Sequence, residues 1–349
     1  MRLRPATRGI VLAFLALGLA ALLNAQGLRK RAEIQPQGVG RDVALAFTRP
    51  LARVSSALYL DRPRRALQVA IGRRDQDRID TRVAFRLPPP AGPLPHPTPR
   101  KTTPQRPAPE HPRKRRSFDP ARPLRVWVAG DSLVQVPGES LERATGSRAA
   151  IEILGVESRL GTGLGQPGVY NWFTRIADAI SELRPNVAVL SFGADDGHDY
   201  LGGVPAGRKI GKLGSPSWNA EYRRRVDGVT RELNAAGIYV VWIGLPIPAG
   251  PGFRRSFPIV NKVIRSVATV NPRGSTYVDT WHMLDSKQGG YAEYLRNASG
   301  RLVLMRARDG VHYQSAAGDL IARTILQRLN QIYDLTSWRR SPAGSGAAS

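Results

Sequence analysis

The chain contains no cysteine. A disulfide framework, a cysteine-ligated zinc site, an iron–sulfur cluster and a cysteine nucleophile are therefore excluded. Histidine is scarce, with five in 349 residues. Two of them, His96 and His111, fall in a proline-rich stretch, which leaves His198, His282 and His312 for imidazole chemistry in a folded region. Acidic residues are also few, 27 against 52 Lys and Arg, for a net charge of +25. The excess is uneven: residues 1–123 carry a net +17 and residues 124–349 a net +8. So basic a chain raises the question of nucleic acid, but no zinc-finger, RNA-binding or helix-turn-helix signature accompanies the charge. A basic stalk beside an anionic membrane or anionic wall polymers explains it more simply, and no nucleic-acid partner is expected. Asp195, Asp196, His198 and Asp199 have no second cluster at ligand spacing, so neither a metal nor another cofactor is expected. Apolar residues make up 42 %, enough for a sizeable core.

One long apolar run occurs, from Ile10 to Leu23, after Arg2, Arg4 and Arg8. Extended to Leu28, it is just long enough to cross a bilayer. Leu23-Asn24-Ala25 puts a bulky residue where a cleavage site prefers a small one, so residues 1–28 are expected to be an uncleaved signal anchor. The domain that follows would then be extracytoplasmic on a single-pass chain. Residues 29–86 form a basic membrane-proximal stalk. Within it Val43, Leu45, Ala46, Leu51, Val54, Leu58 and Leu60 alternate with basic positions, as in short amphipathic helices interrupted at Pro50 and Pro63. Such helices either lie on a membrane surface or pack on the main domain. Residues 87–123 hold 13 of the 28 prolines and read as an extended linker. Residues 336–349, rich in Gly, Ala and Ser at their end, read as a disordered tail.

From Leu124 to residue 335 strands and helices alternate. Expected strands are Leu124–Ala129, Ala149–Val156, Val187–Phe192, Ile238–Leu245 and Thr276–Val278. Expected helices are Glu139–Thr145, Tyr170–Leu183, Ala220–Ala236, Ile259–Asn271 and Ala316–Tyr333. This spacing implies a three-layer α/β/α sandwich with a mainly parallel sheet, flavodoxin-like, after the anchor and linker. Chemistry in such folds collects at the carboxyl ends of the strands.

Three loops at those ends carry reactive residues. Gly130-Asp131-Ser132-Leu133 follows the first strand, where a serine can project its hydroxyl from the sheet edge. Asp309-Gly310-Val311-His312 precedes the last helix, and a carboxylate and an imidazole at this spacing can act together as an oriented base. Gly193-Ala194-Asp195-Asp196-Gly197-His198 ends the third strand, and Gly161 and Gly163 follow the second. Backbone N–H groups there can stabilise an oxyanion. Trp172, Trp218, Trp242 and Trp281 fit a core better than a sugar-stacking surface, and the arginine run 223–225 reads as a solvated helix face.

The order of these blocks resembles the SGNH (GDSL-type) hydrolase superfamily over roughly residues 124–335. With Trp218, Tyr222 and Val226, then Val241-Trp242-Ile243-Gly244-Leu245-Pro246 and Tyr277-Val278-Asp279-Thr280, it resembles the bacterial membrane-anchored branch catalogued as domain of unknown function 459. The resemblance implies Ser132 as nucleophile, His312 as general base and Asp309 as its orienting acid. It implies an oxyanion hole from the N–H groups of Ser132 and Gly163, with Gly161 the weaker candidate, and from position 195. Asp196 and His198 are candidate substrate contacts. The implied activity is a serine ester hydrolase or O-acyltransferase, and the expected membrane tether suggests an O-acylated glycan or lipid of the cell envelope as its substrate. Position 195 departs from the family pattern, in which it is Asn: an ionised Asp cannot donate to an oxyanion. Three accounts stay open. Asp195 is protonated, or it turns away, or the domain is a weakly catalytic or non-catalytic envelope binder.

Overall fold

The computed structural model describes residues 5–33, 35, 39–71, 80–86, 115–146, 150–205 and 210–336. Most of the proline-rich linker and the tail from 337 onward lie outside these residues. Five strands, β1 (Leu124–Gly130), β2 (Ile151–Ser158), β3 (Val187–Ser191), β4 (Tyr239–Ile243) and β5 (Ser275–Val278), form one sheet in the order β2-β1-β3-β4-β5. Every pairing in it is parallel. β1, β3 and β4 are almost wholly buried, which is why they read as continuous apolar runs rather than alternating ones.

The covering helices are α5 (Gln135–Thr145), α6 (Trp172–Glu182), α7 (Pro216–Ala235), α8 (Pro251–Ala268) and α10 (Ser315–Ile332), with a short α9 (Thr280–Met283). Trp172, Trp218 and Trp242 are fully buried, and Trp281 is packed partly against the core. α8 begins eight residues before the Ile259 expected from sequence. Pro258 is tolerated inside the helix because it lies on the exposed face, where the carbonyl it frees reaches water. An antiparallel hairpin, β6 (Tyr294–Arg296) with β7 (Leu302–Leu304), was not legible in the pattern.

Two segments assigned by composition to stalk and linker lie on this domain. Phe85 meets Phe173 edge-on at 5.5 Å, and the Arg86 N–H donates to Glu232. Phe118 is buried, and its N–H donates to the Asp334 carbonyl.

Upstream lie α1 (Pro5–Leu23), α2 (Ala25–Glu33), α3 (Val39–Ala57) and α4 (Arg62–Ala70). α3 runs through Pro50, where a break was expected, and Pro63 sits in the first turn of α4, where its fixed φ suits a helix start. Among the described residues no single helix is long and apolar enough to cross a membrane. Gly9–Leu23 and Ala25–Glu33, bent by 70° between them, pass that test together.

Candidate active site

Strand order reverses between β1 and β3, and the loops that leave their carboxyl ends open a crevice there. Gly130 and Ser191 are register partners at those ends. A Cβ on Gly130 would collide with the Ser191 carbonyl, so glycine is what lets β1 run this close before the chain turns. The Asp131 carboxylate, fully buried, then accepts from the Leu133 N–H at 2.9 Å and the Ala194 N–H at 3.0 Å. It ties the Ser132 turn to the loop after β3. Burial pushes its pKa well up, and the carboxylates of Asp195 and Asp196 add to the rise.

Ser132 opens a single 3₁₀ turn ahead of α5. His312 comes to it from the far end of the chain because α10 packs on α5. A Cβ on Gly318 of α10 would strike Ser140 and Val136 of α5, so this glycine sets the close approach. Ser132 Oγ lies 2.8 Å from His312 Nε2, and His312 Nδ1 lies 2.6 Å from Asp309 Oδ2. Partial burial raises the Asp309 pKa. N–H bonds from Val311 and His312 and the imidazole outweigh that and hold it at about 2. Asp309 is thus ionised at neutral pH. Its position places the imidazole proton on Nδ1 and the lone pair on Nε2, facing Ser132.

The loop that presents His312 is held from inside by Arg306, which sequence reasoning did not single out. Arg306 is fully buried and donates to the carbonyls of Ile247 at 2.8 Å, Val311 at 2.6 Å and Gly310 at 3.3 Å. Burial lowers its pKa. Arg306, three residues before Asp309, gave no sequence signal, because its partners are carbonyls.

The backbone N–H groups of Ser132 and Gly163 donate to no other described residue. Gly161 is exposed on a turn with a φ of +70°. The Gly163 loop rests on Asp196. A Cβ at Gly163 would collide with the Asp196 carboxyl, which accepts from the N–H groups of Leu164 (3.0 Å) and Gly165 (2.7 Å) and from the Tyr222 hydroxyl (2.6 Å). Asp196, expected among substrate contacts, is thus turned inward and 1 % exposed. Burial raises its pKa, and the three donors oppose the rise. Arg225 completes the clamp. It donates to the carbonyls of Leu164 (2.8 Å) and Gly202 (2.6 Å) and pairs with Glu221 at 2.9 Å.

Arg225 is therefore not on a solvated face, unlike Arg223 beside it. Its offset from Trp218, Tyr222 and Val229 puts it in the middle of the buried stripe of α7, a signal present in the helical period.

Asp195 is half-buried, and its carboxyl makes no hydrogen bond to another described residue. Burial raises its pKa, as does Asp196, while His198 and His312 lower it. His198 is exposed; its ring stacks on Tyr200 at 5.6 Å, and its carbonyl accepts from Trp218 Nε1. Among the described residues no group of three or more His, Cys, Asp or Glu side chains is arranged to hold a metal ion.

Several solved structures are similar to this chain. A protein from Slackia heliotrinireducens described as an SGNH hydrolase is 17 % identical, with 59 % of this chain and 99 % of that one aligned and a TM-score of 0.41. A GDSL-like lipase from Bacteroides thetaiotaomicron is 15 % identical over 60 % and 88 %, with a TM-score of 0.40. An acetylxylan esterase from Geobacillus stearothermophilus, as a catalytic mutant, is 13 % identical over 59 % and 93 %, also with a TM-score of 0.40. No curated protein matches the chain. Residues 125–328, more than half of the sequence, match the family described as "Protein of unknown function (DUF459)", and the chain belongs to that family.

Proposed function

We propose that this protein is a serine ester hydrolase of the SGNH type. The observation that carries the proposal is the continuous chain from Ser132 Oγ through His312 to Asp309, at 2.8 and 2.6 Å. In this reading Ser132 Oγ attacks the acyl carbon of an ester while His312 Nε2 takes its proton. The tetrahedral oxyanion is received by the N–H groups of Ser132 and Gly163. Collapse breaks the ester C–O bond, and His312 returns the proton to the leaving alcohol. Water then attacks the acyl-enzyme with His312 again as base, releasing the acid and restoring Ser132. An alcohol in place of water would make the same site an O-acyltransferase. The apolar N-terminal run and basic stalk support a substrate in the cell envelope, an O-acylated glycan or a lipid ester, met outside the cytoplasm by a membrane-held chain.

One observation favours a second reading. Asp195 stands where the SGNH pattern has an amide donor, and loss of one such donor lowers rates by about 10²–10³. A weakly catalytic or non-catalytic envelope binder would tolerate it. The deciding experiment treats the full chain with a fluorophosphonate and locates the adduct by peptide mass spectrometry. Modification at Ser132 that disappears in His312→Ala supports the hydrolase. A folded, unmodified chain selects the binder.

A further inference from the structure

The N-terminal helices have inverted polarity. On α3, Leu45, Ala52 and Ser55 are buried, and the opposite face is open. That open face carries Val43, Ala46, Phe47, Pro50, Val54, Ala57 and Leu58, all within about 120° of the helix circumference. Phe47 is 74 % exposed and Leu58 60 %. The next helix repeats the inversion: on α4, Gln68 is buried while Leu67 and Val69 are exposed. Polar groups meet on the inner side beside Leu45 and Ala52: Gln26 donates to Ser56 at 2.8 Å, and Ser56 bonds Asp61. Arg49, about half exposed, reaches Glu33 from the edge of the open face. Scattered apolar residues on a surface need no explanation, but a continuous apolar face left open does.

Charge and continuity identify what covers this face. Residues 39–71 hold six arginines and two aspartates. Arg49 and Arg53 border the apolar stripe and line a recess of about 400 Å³ with Arg41. A second recess, about 290 Å³, is lined by Arg31, Arg64 and Asn24. Guanidinium groups at the edge of an apolar face match phosphate headgroups above acyl chains. α1, which packs against α3, is itself open and apolar: its Leu12, Phe14, Leu15 and Leu17 are 64–70 % exposed. α2 leaves that apolar helix at 70°, and α3 packs on α2. A bilayer entered by α1 therefore runs beside α3 instead of being crossed by it.

We propose that α3 and α4 lie on an anionic phospholipid bilayer, with the Val43–Leu58 face in the acyl boundary and the flanking arginines on lipid phosphates. This stands apart from the hydrolase reading and needs no activity to test. The absence of cysteine allows single-site labelling of the full chain. Phe47→Cys, Leu58→Cys and, as reference, Ser299→Cys in the exposed β6–β7 turn are each labelled with a fluorophore. Each is then reconstituted in phosphatidylglycerol–phosphatidylcholine vesicles with a nitroxide quencher on the acyl chain. Vesicle-bound chains are separated from free chains by flotation before the measurement, so the readout is the placement of α3 alone. Quenching at 47 and 58 severalfold above that at 299 is expected. It should fall in pure phosphatidylcholine, and again with Arg49→Gln/Arg53→Gln, each charge near the surface shifting the equilibrium about fivefold. Equal quenching at 47, 58 and 299 overturns the proposal. So does cross-linking of Phe47→Cys between chains without quenching, which gives the face to a second copy. Quenching indifferent to phosphatidylglycerol overturns the assignment to anionic lipid.

Discussion

α3 and α7 are of nearly equal length, 19 and 20 residues, and they turn their most apolar faces in opposite directions, one outward and one inward. α7 puts Trp218, Tyr222, Val226, Val229 and Leu233 inside; of its buried charged residues, Arg225 is matched by Glu221 and by loop carbonyls, and Glu232 accepts from the Arg86 N–H. α3 buries Leu45, Ala52 and a serine whose hydroxyl has no partner among the described residues, and exposes Val43, Phe47 and Val54. The difference shows that amphipathicity alone does not say which face a helix hides. α7 hides its apolar face because a sheet lies beneath it. α3 packs on α2 by its more polar face, which leaves the apolar one open.

The contrast can be broken or sharpened by substitution. The largest effect belongs to the ordered domain: Ser132→Ala or His312→Ala should lower turnover of a short-chain aryl ester by about 10⁴ or more, read by steady-state kinetics. Turnover that survives in Ser132→Ala would remove the nucleophile assignment. Next, Trp172→Ala should destabilise the domain by about 3–5 kcal/mol in denaturant unfolding, whereas Phe47→Ala, on the open face, should stay within about 0.5 kcal/mol. Similar values at the two sites would erase the distinction between the regions.

Asp195→Asn tests a subtler point. Its raised pKa means the carboxyl is neutral and able to donate below that value and anionic above it. Asn does not titrate. The ratio of variant to parent turnover should therefore climb as pH rises, toward the 10²–10³ that one oxyanion donor contributes. A flat pH profile, or a slower variant, would show that Asp195 is turned away or has a role of its own. The smallest effect is expected from Tyr222→Phe, which removes one of three hydrogen bonds to Asp196 beneath the Gly163 loop. A fall in kcat of about tenfold with KM little changed marks a residue that positions the oxyanion donor. A rise in KM alone would point to substrate binding.

Alternation of apolar runs with amphipathic stretches was enough to derive five parallel strands and their covering helices, because burial on both faces leaves a composition signal in the central strands β1, β3 and β4. Ser132, Asp309 and His312 were visible as two short blocks at the ends of predicted elements. The chain by itself thus determined the layer order and which residues could react. Tertiary structure alone decided that Ser132 and His312, 180 residues apart, meet at 2.8 Å, through the seat of Gly318 on α5. It also decided that Asp196 faces inward, that Arg225 and Arg306 are buried, and that α3 turns its apolar side out. Each of these depends on partners distant in sequence, carbonyls, glycine gaps and a neighbouring helix, and local periodicity carries no record of them.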